Sequence, residues 1–176
     1  MLVDSPANKG VALAGPSAEP AGSLGEKINF LGKTELFKEL PQEVLRQLAE
    51  ETRMVYHPKG FRIRNTERAD GEDTTLIDGL YVIKFGAAKV TKASEFGDAE
   101  AVVAILGNGN WFGEIGLIDG LPPSANVTAM SPMESFFLPR ESFWNALNEN
   151  PKIAVAMLPA LGNMVRMADQ WISQLL

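Results

Sequence analysis

Apolar residues along the chain follow two different spacings, which predict helices towards both ends and strands between them. Val44, Leu45 and Leu48 recur with the spacing of one helix face. They come directly after Pro41, a residue type that is favoured in the first turn of a helix. We therefore predict a helix over about 41–52.

From about residue 53 to residue 138 the apolar runs become short, and Gly, Pro, Asn and Asp separate them. These runs, which we interpret as strands, are MVYH, FRIR, LYVIK, AAKVTK, AVVAIL, WFG, NVTAM and SFFL. Short strands at this regular spacing are typical of an antiparallel sandwich or barrel. The predicted fold is mainly β, with flanking helices.

The end of the chain is predicted to be helical again, with a short helix over 139–149 and a longer one from Pro151. In the longer helix an apolar residue recurs every three or four positions, as in helices that pack along one seam. This first stripe consists of Met157, Leu161, Met164, Ala168, Trp171 and Leu175. A second stripe, one residue further along, consists of Leu158, Val165 and Ile172. We predict a homodimer through the first stripe; the alternative is a helix that packs this stripe on its own sheet.

The start of the chain predicts a flexible tail. Residues 1–25 contain no aromatic residue and are rich in Ala, Gly, Pro and Ser, so they cannot bury enough apolar surface to offset the entropy of ordering. A chain of 176 residues has room for one domain. We predict a tail at 1–25, a β-roll with helices at 26–150 and a final helix at 151–176.

The composition argues against several kinds of partner and binding site. The chain has 16 basic and 22 acidic residues, and this acidic balance argues against a DNA partner because phosphate backbones bind to dense basic patches. There is no cysteine and one histidine, His57, so we predict no metal and a structural role for His57. No apolar run approaches the roughly 18 residues of a membrane span, and the N-terminal apolar stretch is too short for a secretory signal. We expect a cytoplasmic protein without a membrane partner.

The order of these elements resembles the cyclic nucleotide-binding domain, the family of catabolite activator proteins, kinase regulatory subunits and cyclic-nucleotide-gated channels. The resemblance covers roughly 34–172. Its segments are LFKELPQEVLRQLAEE, HPKGFRI, GLYVIKFGAAKV, AILGNGNWFGEIGLIDGLPPSANVTA and LPRESFWNALNENPKIAVAML. It implies an eight-stranded antiparallel jelly roll (a double-stranded β-helix), a long C-terminal helix and a regulatory role in signalling, not an enzyme.

The resemblance also implies a ligand site, the phosphate-binding cassette. The matching positions here are Gly113, Glu114, Ile115, Gly116, Pro123, Ser124 and Ala125. In the family, the Glu accepts a hydrogen bond from the ribose, and an Arg-Ser-Ala triplet supplies a cation and a hydroxyl to the cyclic phosphate. Pro123 stands where the arginine would be, and proline offers neither a charge nor a backbone donor. We therefore expect cyclic AMP to bind weakly or not at all.

Two further differences from the family pattern, outside the cassette, leave two hypotheses for the function. The positions that would face the base on the final helix are Ala168 and Asp169, where activators of the family carry hydroxyl residues. No helix-turn-helix pattern follows the final helix before Leu176, so we expect no DNA-binding activator. One reading is a stand-alone, degenerate domain that regulates a protein partner. The other is a genuine sensor of a cyclic or other nucleotide.

The second reading requires another basic residue to replace the arginine. Lys and Arg are absent from residue 93 to residue 139. Candidates from other strands are Arg62, Arg64 and Lys89, although their alternation equally suits a solvent face.

Overall fold

The computed structural model describes residues 22–63, 79–93, 100–121 and 125–175. The helices are α1 (Leu24–Leu31), α2 (Gln42–Glu51), α3 (Glu114–Asp119), α4 (Arg140–Glu149) and α5 (Lys152–Leu175). The strands are β1 (Arg53–His57), β2 (Arg62–Ile63), β3 (Gly79–Phe85), β4 (Ala88–Ala93), β5 (Glu100–Leu106), β6 (Trp111–Phe112), β7 (Asn126–Ala129) and β8 (Met133–Pro139). All the strands predicted from the short apolar runs are present.

The strands form two four-stranded sheets. The first sheet has the order β1-β8-β3-β6 and the second has the order β2-β7-β4-β5, and all their pairings are antiparallel. Except for the consecutive strands β4 and β5, neighbours in a sheet are distant in sequence, as where Leu80 of β3 lies opposite Leu138 of β8. The predicted jelly roll with flanking helices is confirmed.

The first sheet is buried on both faces, and β3 shows why. Its side chains alternate between the two faces, as in any strand. Leu80 and Val82 pack into the core beneath the helices, whereas Tyr81 and Ile83 pack into the core between the two sheets. The apolar run LYVIK is continuous because neither face of this strand meets solvent.

The helical layer begins earlier than the sequence predicts. Helix α1 starts at Leu24, so the predicted tail at 1–25 is wrong at its last two residues, and the rest of it below residue 22 lies outside the described part. The hydroxyl oxygen of Ser23 accepts a hydrogen bond from the backbone N–H of Glu26, at 3.2 Å. A serine that caps a helix in this way stabilises its first turn. The Ser-x-x-Glu spacing was the sequence signal for this start.

Helix α5 corrects the predicted dimer face. Met157 is 3% exposed and packs with Phe143 and Ile153 in the core beneath the helices, so it cannot lie in a dimer interface. The first turns of α5 thus use the predicted stripe to cover the chain's own core, which was the alternative interpretation. The side chains of Trp171 and Leu175, also assigned to this stripe, lie outside the described residues.

Candidate ligand site

Helix α3 lies at the centre of the candidate site, and glycines set its two ends. Gly113 precedes the helix with φ 96° and Gly120 follows it with φ 68°. Residues that carry a side chain rarely adopt this left-handed backbone conformation, whereas glycine adopts it freely. The chain can therefore turn sharply from strand β6 into α3, and the turn places Glu114 at the first helical position.

Glu114 is a buried acid. Its side chain is 4% exposed, and burial raises the pKa of its carboxyl group above the usual value. A hydrogen bond from its own backbone amide opposes part of this shift. The carboxylate form is thus disfavoured unless a donor or a cation approaches it.

Helix α4 holds the opposite side of α3. The guanidinium of Arg140 donates to the carbonyl of Gly116 at 3.1 Å, and the indole Nε1 of Trp144 donates to the carbonyl of Leu117 at 3.1 Å. These bonds satisfy carbonyls near the end of a short helix, where intrahelical donors are missing. This pair of contacts was not predicted from the sequence, where the available signal is that Arg140 and Trp144 stand four residues apart on one helix face.

A cavity of about 500 Å³ lies between the second sheet, α3 and α5. Most side chains around it are apolar. The lining residues are Val90, Lys92, Ala101, Val103, Ala104, Leu106, Trp111, Phe112, Gly113, Glu114, Ile115, Gly116, Ala125, Val127, Met164, Met167 and Ala168. Among these, the charged side chains are exposed Lys92 on β4 and buried Glu114.

The structure brings most of the predicted cassette together around this cavity. Its lining includes Gly113, Glu114, Ile115, Gly116 and Ala125. Pro123 and Ser124, the positions on which the expected loss of affinity rests, lie outside the described residues.

Helix α5 contributes to the same cavity. Of the two residues predicted for the base side, Ala168 lines the cavity, whereas Asp169 is exposed and is not among the lining residues. Met164, which was predicted to contact a second subunit, also lines the cavity. Two residues in the middle of the first stripe therefore contribute to a cavity of their own chain.

The proposed substitutes for the missing arginine lie elsewhere. Arg62 forms an ion pair with Glu100 and is not among the residues that line the cavity. Lys89 is next to Val90, which lines the cavity, and therefore points to the opposite face of β4. Arg64 lies outside the described residues. Lys92 was not among the predicted substitutes. It lies two residues after Val90 on β4, so its side chain is on the same face of the strand, and it lines the cavity.

His57 is separate from this site. Its ring is 2% exposed and stacks on Phe61 with 5.2 Å between centroids, in the core between the sheets. Burial lowers its pKa to about 4. Within the described ranges no three His, Cys, Asp or Glu residues cluster as metal ligands would. None of the helices in the described part is both long and apolar enough to cross a membrane.

Comparison with known proteins identifies the domain. Residues 72–150 match the family model of the cyclic nucleotide-binding domain. Over 125 residues, 69% of this chain, the sequence is 32% identical to the cGMP-dependent protein kinase egl-4 of Caenorhabditis briggsae. The matched region is 16% of that kinase, so the chain corresponds to a small part of this relative.

Solved structures agree on the fold. The catabolite activator protein of Thermus thermophilus superposes with a TM-score of 0.67 at 24% identity, over 81% of this chain and 63% of that one. A cyclic AMP-bound mutant of the regulatory subunit of a cAMP-independent protein kinase A from Trypanosoma brucei superposes with a TM-score of 0.65 at 21% identity, over 87% and 52% of the two chains. Residues 72–150 therefore match a cyclic nucleotide-binding domain, the family that the sequence resembled, and the solved structures share the fold of the chain.

Proposed function

We propose that this domain is a regulatory module whose nucleotide site is altered, so that cyclic AMP binds weakly or not at all, and that it acts through contact with a protein partner. The observation that carries the proposal is the charge around the cavity. The charged residues of its described lining are one exposed lysine, Lys92, and one buried acid, Glu114. From residue 93 to residue 139 the sequence has neither Lys nor Arg.

An anion that enters such a site loses water without gaining a strong counterion. A hydrogen bond to a charged group contributes roughly 1.5–3 kcal/mol, and a bidentate contact between arginine and phosphate can exceed this. Its loss corresponds to roughly a tenfold to a few hundredfold weaker affinity. The carboxyl group of Glu114 adds repulsion whenever it is ionised.

The Trypanosoma brucei relative supports this interpretation. It belongs to a cAMP-independent kinase, and the form bound to cyclic AMP carries three substitutions, one of which replaces a threonine with arginine. A newly introduced arginine thus accompanies nucleotide binding in a protein of the same fold. By analogy, proline in place of arginine at position 123 of this chain favours weak binding.

The contact with a partner is supported by α5. Val155, Leu158 and Val165 lie on one face of this helix and are 63%, 61% and 69% exposed. Exposed apolar residues that follow one helix face are typical of an interaction surface.

A genuine cyclic nucleotide sensor is the second candidate. It is favoured by the open cavity and by the retained Gly113 and Glu114, and the relatives include a cGMP-dependent kinase. In this case Lys92 is the described residue that would take the place of the arginine.

Calorimetry with cyclic AMP and cyclic GMP separates the two candidates. We expect dissociation constants on the order of 100 µM or weaker for the native chain. A dissociation constant below about 1 µM, near −8 kcal/mol, would establish the sensor instead. In that case Lys92→Met should abolish the affinity, whereas Lys89→Met, on the opposite face of the same strand, should leave it unchanged.

A further inference from the structure

We propose that the cavity between the second sheet, α3 and α5 binds a small apolar molecule that carries a hydrogen-bond donor, an amine or a hydroxyl group, and that this donor meets the carboxyl group of Glu114. The inference names the ligand class of the site described above. It rests on the proposed function, because it requires that an anionic nucleotide is not the preferred ligand.

The apolar part of this ligand follows from the walls of the cavity. Val90, Leu106 and Val127 of the second sheet lie on one side, and Trp111 and Ile115 approach from β6 and α3. A cavity of about 500 Å³ with such walls is a good environment for an aromatic or aliphatic body of moderate size. Burial of apolar surface is the main source of affinity in sites of this kind.

The expected hydrogen-bond donor on the ligand follows from the burial of the carboxyl group of Glu114. A carboxyl group that is 4% exposed and lines an apolar cavity has lost most of its water. Its own backbone amide supplies one hydrogen bond, which leaves acceptor capacity on its two oxygens. An ammonium or hydroxyl group can use that capacity, and an ammonium also compensates the charge, whereas a carboxylate or phosphate can do neither.

The two methionines of α5 support an apolar occupant independently of Glu114. Met164 and Met167 line the cavity and are 41% and 43% exposed. Methionine side chains are flexible and polarisable, so they adapt to ligands of different shape. An apolar ligand would bury these exposed side chains and gain binding free energy from the burial. A hydrated anion would not make this gain.

The test uses three probes with one apolar body and different head groups: 4-phenylbutylamine, 4-phenylbutanol and 4-phenylbutyrate. Calorimetry on the full chain, with cyclic AMP in parallel, measures the four affinities. We expect the amine and the alcohol to bind at least about tenfold more tightly than the carboxylate, with a negative heat-capacity change from apolar burial. The ratio of the dissociation constants of the amine and the alcohol identifies which donor Glu114 prefers.

Three variants locate the binding. Glu114→Gln should reduce the preference of the amine over the carboxylate by about tenfold or more. Ala104→Phe, which places a ring in the cavity, should abolish binding of all probes. Ile105→Phe is the matched control, because residue 105 is the next position on β5 and is exposed. Circular dichroism and thermal melting establish that each variant is folded.

The outcomes distinguish this inference from the proposed function. The inference is overturned if the carboxylate binds as tightly as the amine and the alcohol, or if none of the probes binds at millimolar concentration to folded protein. In either case weak cyclic AMP binding would leave the proposed function standing. Submicromolar cyclic AMP binding would overturn both.

Discussion

The proposal of weak cyclic AMP binding rests on the proline at position 123. A Pro123→Arg substitution restores the cation that the family places before the Ser-Ala pair. We expect it to tighten cyclic AMP binding by at least about tenfold, because an arginine contact with phosphate contributes roughly 1.5–3 kcal/mol or more. Calorimetry compares the variant with the native chain.

Pro122→Arg is the matched control, since it adds the same charge one residue away and should give a much smaller gain. If folded Pro123→Arg binds cyclic AMP no better than the native chain, charge is not the reason for weak binding. The cavity would then be closed to nucleotides, and the interaction through α5 would be the stronger explanation of the domain.

His57 makes stability depend on pH. Its pKa falls from 6.5 to about 4 on folding because the buried ring resists protonation. Above pH 6.5 the ring is neutral in both states; as the pH falls, the unfolded chain takes up a proton first. We expect the free energy of unfolding to decrease by up to about 3 kcal/mol between pH 7 and pH 4 from this residue alone.

Urea unfolding at several pH values measures this effect, with His57→Leu as the comparison. The variant is less stable at pH 7 if the ring packing is lost, but its stability should fall less steeply towards pH 4. The raised pKa of Glu114 acts in the opposite direction and is present in both proteins. Parallel pH profiles for the two proteins would show that His57 is not the titrating group.

Some residues of the site were predictable through the family resemblance. The resemblance pointed to Gly113 and Glu114, and Gly113 has the positive φ that the turn into α3 requires. Lys92 and Trp144 were not found, because their roles depend on contacts with segments distant in sequence. Spacing along one element shows which face a residue shares, but not what lies opposite that face.

At the scale of elements, α1 is attached to α2 by a buried lysine. Lys27 is 8% exposed, and its ammonium group donates to the carbonyl of Ala49 at 3.2 Å and to that of Thr52. These carbonyls are at the C-terminal end of α2, where a positive charge is favourable. Lys27→Met would leave them buried without this donor.

We expect Lys27→Met to lower the free energy of unfolding by about 1–3 kcal/mol, the cost of unpaired buried polar groups. Lys33→Met is a suitable control, since Lys33 is exposed and should change stability by less than about 0.5 kcal/mol. Chemical denaturation with urea compares the three proteins. Equal losses in the two variants would mean that the contacts of Lys27 contribute nothing specific.

The strands were more predictable than their arrangement. Each short apolar run between turn residues became a strand, since local alternation and turn chemistry act within a few residues. The pairing of β1 with β8, which joins Val55 to Ser135, has no such local signal. The family resemblance supplied the jelly roll that spacing alone left as a sandwich or barrel.

At the scale of the whole molecule, part of the first stripe of α5 lies against its own chain, not against a second subunit. Met157 packs in the core, and Met164 lines the cavity while it remains 41% exposed. The second stripe remains exposed at Leu158 and Val165, and Val155 extends it. The stripes are one residue apart, so the pattern could not determine which of them faces the roll.

This exposed face predicts the assembly. We expect a homodimer in which α5 packs against α5 of a second copy through Val155, Leu158 and Val165, because burial of exposed apolar side chains drives association. Multi-angle light scattering at about 50 µM, where a contact of about −6 kcal/mol is half formed, should show a dimer. Leu158→Asp combined with Val165→Asp should give a folded monomer, whereas Asn163→Asp combined with Gln170→Asp, at exposed positions on a different face of the helix, should remain dimeric. A native chain that is monomeric at this concentration would contradict the prediction, and the stripe would then be left for a different protein partner.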